Sequence, residues 1–161
     1  MKEGDIIEIP LPDGRVAMAW ILHESQRFKD GVGFIVLGIK GETGRNILYS
    51  DQTGAPMSMD TLGPLYTHKD VFEHYKCVKV GHQPITDRHK QLTKRIVASE
   101  VYVGDDCIGT IDEVDTTGVR QLAGGGMPVI YHYILEAYPN PKETQVGCES
   151  VSSREQHDKM G

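Results

Sequence analysis

The chain is poor in the features that announce a catalytic or cofactor-binding class. It has three cysteines, Cys77, Cys107 and Cys148, and no two stand at CxxC spacing. That excludes a zinc ribbon or a thioredoxin-type pair, and an odd number of thiols suits a reducing compartment better than a disulfide scaffold. No apolar run approaches the roughly 18 residues of a membrane span. The opening Met1-Lys2-Glu3-Gly4-Asp5 leads into only Ile6-Ile7-Glu8-Ile9, too short for the apolar core of a signal peptide. Aromatics are 7% of residues, with a single tryptophan, Trp20. There is no Gly-x-Ser-x-Gly elbow, no P-loop Lys-Ser/Thr after Gly124-Gly125-Gly126-Met127-Pro128, and no dinucleotide fingerprint at Gly31-x-Gly33. The glycine triplet reads as a flexible turn.

What is present describes one soluble domain. The 161 residues are 39% hydrophobic and 25% charged, which fits a globular chain able to bury a core unaided. The net charge is −6. An acidic protein repels phosphate backbones, so nucleic acid is disfavoured as a partner, while basic proteins are steered toward it. The charge is uneven. Residues 68–95 carry seven bases and three acids, whereas 96–115 carry six acids and no base.

Turn signals recur about every ten residues, a spacing that favours a small barrel or sandwich over βαβ units. Asp5–Ile9 is a short strand that stops at Pro10. Leu11-Pro12-Asp13-Gly14 is a turn, because Pro presets φ and Asp-Gly accepts the reversal. Arg15–Leu22 returns as a second strand, with Val16, Met18 and Trp20 on one face and Ala17, Ala19 and Ile21 on the other. Gly31–Leu37 reads as a third strand and Asn46–Tyr49 as a fourth, with a turn-rich loop over Asp51–Pro64. Thr67–Tyr75 suits one or two helical turns, and Tyr75–Val80 alternates as a strand. Thr86–Arg95 reads as loop or short helix. Ile96–Val103 reads as one strand, turning at Gly104-Asp105-Asp106 into Cys107–Val114. Val129–Leu135, β-branched and aromatic, reads as a last strand. From Pro139 apolar content falls away, so 139–161 is expected to be a weakly ordered polar tail on a domain spanning 1–138. The expected fold is mainly β: a small SH3-like barrel or a strongly bent antiparallel sheet with little helix.

Two clusters invite a functional reading. His68, His74, His82 and His89 share the basic stretch with Cys77, but their spacings match no zinc motif, and no metal or other cofactor is expected. Phe72 and Tyr75 lie among those bases, a pattern that would suit an SH3-like nucleic-acid or ribosome-associated binding module. The acids Asp105, Asp106, Asp112, Glu113 and Asp115 do not fit an EF-hand loop. They suit either an acidic patch facing a basic partner or a charged strand edge that resists aggregation.

The segment Glu3–Leu22 carries a more specific pattern. Gly4-Asp5, an apolar strand ending in Ile9-Pro10-Leu11, the Asp13-Gly14 turn and a second apolar strand resemble the start of the immunity protein 26 family of bacterial polymorphic toxin systems. Gly81-His82 with Pro84 is similar to a later Gly-His-x-Pro segment of that family, while Ala19 stands where the family pattern has glycine. The resemblance covers about the first 25 residues. It implies a cytoplasmic, non-catalytic, cofactor-free protein that binds and neutralises a cognate toxin, often a nuclease with a basic face. The acids of 105–115 are then the expected contact surface, and Gly4, Asp5, Pro10, Leu11, Asp13 and Gly14 the expected structural motif.

Overall fold

Eight strands and three short helices make up the described residues, 1–42 and 62–141, of a computed structural model. The expected strand Asn46–Tyr49, Cys148 and most of the expected tail lie outside those residues. β1 (Asp5–Pro10) and β2 (Val16–Glu24) are joined by the Pro-Asp-Gly turn. There Gly14 N–H donates to Leu11 C=O at 3.1 Å. Gly14 takes φ +90°, a left-handed conformation that favours glycine. The Asp13 carboxylate accepts from the Arg15 N–H and Nε.

β3 (Gly31–Ile39), β4 (Leu65–His68) and β5 (Val78–His82) complete an antiparallel sheet of order β4-β3-β2-β1-β5. A second antiparallel sheet has order β6-β7-β8, from Arg95–Val97, Glu100–Val103 and Asp106–Thr110. Neither closes into a barrel, so the bent-sheet expectation is the one realised. The bending has local causes: register shifts at Ile6/Ile7, Met18/Ala19 and Ile21/His23 insert bulges, and bulges increase twist.

Both faces of the five-stranded sheet are covered, and period-2 alternation decides which residue goes where. Ile7, Ile9, Ala17, Ala19, Ile21 and Phe34 form one face. Trp20, Ile6, Leu22, Ile35 and Leu37 form the other, closed by Leu92. The first face packs on Phe72 from α1 (Lys69–His74) and on Met127, Ile130 and Ile134 from α3 (Met127–Ala137), all fully buried. Phe34 and Phe72 meet edge-to-face at 5.6 Å, a favoured aromatic geometry.

Two expected strands differ. Val129–Leu135 lies within helix α3. Its buried residues recur at i, i+3 and i+7, a helical stripe, and Pro128 occupies the first turn, where a missing N–H costs nothing. Ile96–Val103 is two strands, because Ala98 takes φ +57° and reverses the chain before Glu100. Thr86–Thr93 forms α2 (Asp87–Lys90) and a single 3₁₀ turn. After α3, Tyr138 C=O accepts from Arg15 Nη2 at 2.6 Å, and Asn140 hydrogen-bonds Asp13.

The two sheets are joined by the segment 120–125, an extended strap. Ile96 N–H donates to Arg120 C=O and Ile96 C=O accepts from Leu122 N–H, while Tyr66 N–H donates to Ala123 C=O and Tyr66 C=O accepts from Gly125 N–H. The strap thus pairs in parallel with β6 at one end and β4 at the other. The glycine triplet expected as a flexible turn is instead the close approach that makes this possible. A Cβ on Gly124 would lie 2.1 Å from the Tyr66 carbonyl oxygen, a distance no side chain tolerates. No helix among the described residues is long and apolar enough to cross a membrane.

Candidate protein-interaction surface

The acidic stretch divides into one residue that holds the fold together and others that face outward. Asp105 sits in the β7–β8 turn. Its carboxylate lies 3.0 Å from His23 Nε2 and accepts from Ser25 Oγ and Gln26 N–H, both at 2.7 Å. Burial alone would raise its pKa, but the bonds from Ser25, the Gln26 backbone and His23 outweigh it and bring the carboxyl down to about 2. Its charge is therefore engaged by the hairpin of the first sheet. A basic partner would have to break that clasp to use it.

Asp106, Asp112 and Glu113 are exposed, and among the described residues none has an ion pair. Asp115 is exposed too, but its carboxylate accepts from the Thr117 N–H and hydroxyl at 3.0 and 2.7 Å, which lowers its pKa. Ile108 and Ile111 stand among these acids, each 43% exposed. The loop that carries them is pinned. Ile111 N–H donates to Ser99 C=O, and the Glu113 and Val114 N–H groups both donate to Thr110 C=O. Gly109, at φ +143°, lets Val114 fold back where a Cβ would meet it at 2.8 Å. The β8 hairpin and the loop after it thus expose two isoleucines and three carboxylates within residues 106–113. Cys107 is also exposed there.

The basic stretch is scattered by the fold. Phe72 is in the core and cannot stack on a base. Lys69 is paired with Glu24, and Lys79 with Asp5. His89 is buried edge-to-face against Trp20, while His68 and His74 are exposed on different neighbours. Among the described residues no three His, Cys, Asp or Glu side chains group as a metal site. Burial raises the Cys77 thiol to about 11.

The glycine-aspartate start and the Gly-His-x-Pro segment meet in space. Gly4, at φ +93°, leaves no room for a Cβ, which would lie 2.7 Å from the His82 ring. Asp5, only 1% exposed, accepts from the Lys2 N–H and pairs with His82 Nδ1 at 2.8 Å and Lys79 Nζ at 3.2 Å. Those bonds overcome its burial and hold the carboxyl below the ordinary range. Trp20 Nε1 donates to the Gly4 and Gln83 carbonyls, closing the joint. Pro10 ends β1, Leu11 is buried, and Asp13 and Gly14 form the turn.

Two features had no clear signal in the sequence. Arg95, 6% exposed, stacks on the Tyr66 ring at 4.4 Å and donates to Gly104 C=O at 2.7 Å, riveting the second sheet to the first. Tyr66 donates to Thr93 C=O at 2.6 Å, and burial pushes its phenol up to about 12. Phe28, at the β2–β3 loop, is 61% exposed between Arg27 and Lys29. No family model matches the chain, and neither a curated protein nor a solved structure is significantly similar to it.

Proposed function

We propose that this chain is a cytoplasmic immunity protein that binds a cognate toxin with a basic surface and neutralises it by stoichiometric occupation, without catalysis. The observation that carries this reading is the stretch 106–113, where Asp106, Asp112 and Glu113 are exposed without an ion pair among the described residues and Ile108 and Ile111 are exposed beside them in sequence. Unpaired carboxylates steer a basic partner over several ångströms, and isoleucines desolvated on docking supply affinity. A nuclease that grips a polyanion presents a basic face of that kind. The resemblance of Glu3–Leu22 to the immunity protein 26 family points the same way, through an architectural motif rather than a contact surface.

The test is capture of the bound partner from source cells at physiological salt, followed by co-expression. One stoichiometric protein whose toxicity this chain suppresses supports the reading; recovery of RNA or ribosomal proteins overturns it. With that toxin in hand, the triple reversal Asp106→Lys, Asp112→Lys, Glu113→Lys is expected to slow association by about tenfold at low salt and flatten its salt dependence. Its thermal midpoint should stay near that of the parent, since none of the three carboxylates holds the fold. An unchanged association rate and salt slope would place the interface elsewhere.

A further inference from the structure

A second surface lies beside the strap. Phe28, Val71, Leu122 and the backbones of Gly124, Gly125 and Gly126 line an open groove of about 470 Å³ against β4. Pockets of roughly 300–1,000 Å³ take small ligands or a few side chains. Phe28 and Leu122 are 61% and 47% exposed, and Val129, next to the triplet in α3, is 41% exposed. Two of the large exposed apolar side chains, Phe28 and Leu122, thus share one groove, which is unusual for scattered surface hydrophobics. The floor is bare for a structural reason. Gly124 cannot carry a side chain against Tyr66, and a Cβ on Gly125, at φ +153°, would press on Val129.

The one ordinarily charged side chain that lines this groove among the described residues, Lys29, has the opposite sign to the protein as a whole. Among the described residues no carboxylate lines it; Lys29 does, and so does His68, whose Nδ1 lies 3.5 Å from the Asp70 carboxylate. Among the described residues Lys29 has no ion pair, and the Arg27 guanidinium lies over the Phe28 and Tyr102 rings rather than on an acid. We infer that the groove holds an extended acidic segment of a partner protein, a bulky apolar side chain of which seats between Phe28 and Leu122 while flanking carboxylates meet Lys29 and Arg27. This goes beyond the toxin-binding reading and uses none of the β8-edge residues.

Gly126 offers a clean test. It has φ −71°, and a Cβ there meets only Pro128 Cδ at 3.7 Å. It is also the N-cap of α3, where Asp and Asn are both favoured. Gly126→Asp and Gly126→Asn therefore place nearly identical bulk, with and without charge, at the groove. The probe is a labelled peptide, Glu-Asp-Trp-Glu-Asp-Leu, titrated against the full chain by fluorescence anisotropy, beside its Lys-for-acid analogue. The acidic peptide is expected to bind at least about tenfold tighter than the basic one. Phe28→Ala and Leu122→Ala should each weaken it by about tenfold, in keeping with central apolar anchors. Gly126→Asp should weaken it several-fold more than Gly126→Asn. Both anchors are exposed, so their removal leaves the fold intact, and circular dichroism checks this. Equal binding of the two peptides, preference for the basic one, no binding at millimolar peptide, or insensitivity to Phe28→Ala would each overturn the proposal. So would sedimentation showing that a second copy of this chain covers the groove.

Discussion

Replacing Asp105 with asparagine isolates the clasp between the two sheets. The carboxyl moves from an ordinary value of 3.8 to about 2 on folding, held down by Ser25, Gln26 and His23. A depressed carboxyl stabilises the folded state above its unfolded pKa, and that contribution fades as pH falls through the folded value. The shift corresponds to about 2 kcal/mol at neutral pH, about half of it by pH 3 and little by pH 2. For a domain of this size, about 2 kcal/mol is a fall in thermal midpoint of roughly 8 °C. Asparagine keeps the shape but turns an N–H₂ toward donors that need an acceptor. Urea unfolding of parent and variant at pH 6.5, 4 and 3 should therefore show a gap near 2 kcal/mol that narrows with acid. Asp5, Asp13 and Glu24 also have lowered pKa values, so both proteins weaken in acid. Only the difference between them reports on Asp105. A gap of equal size at pH 6.5 and pH 3 would show that packing, not charge, carries the clasp. No gap at pH 6.5 would show that the clasp contributes nothing.

The strap and the thiols give two more expectations. Gly124→Ala drives a Cβ into the Tyr66 carbonyl at 2.1 Å, so the parallel bridge must break. The loss should exceed about 3 kcal/mol, read as loss of soluble protein or a collapsed urea midpoint, whereas Gly126→Ala should cost only about 1 kcal/mol. In a Cys148→Ser background, iodoacetamide at pH 7.5 should label Cys107 and spare Cys77, whose buried thiol is raised to about 11. Mass spectrometry of tryptic peptides checks this, and rapid labelling of Cys77 would refute its burial.

Local chemistry made the first sheet readable. Pro-Asp-Gly must turn, and the alternation of Ala17, Ala19 and Ile21 against Met18 and Trp20 assigns their faces before any partner is known. Gly104-Asp105-Asp106 likewise announced the β7–β8 hairpin. Helix α3 was obscured because valine, isoleucine and tyrosine favour strands when counted, while the helical stripe Met127, Ile130, Ile134 is sparse. The break at Ala98 rests on a positive φ that alanine seldom adopts and that only tertiary pairing enforces. The acids 105–115 looked alike because the partners that set Asp105 apart, His23 and Ser25, lie about eighty residues away. Arg95 was one base among seven, and nothing local marks it as the one that enters the joint.

The strap also sets an order of events for the nascent chain. The face formed by Ile7, Ile9, Ile21 and Phe34 is complete once β3 has been made, yet α3, which closes it, follows the strap and ends at Ala137. At about 5–20 residues per second, synthesis of the intervening stretch takes roughly 5–20 s. For that interval Phe72 of α1 covers part of that face, and the part that Met127, Ile130 and Ile134 cover waits for α3. The closing helix is tethered through glycines that must seat against Tyr66, so completing that cover and joining the two sheets become a single late step.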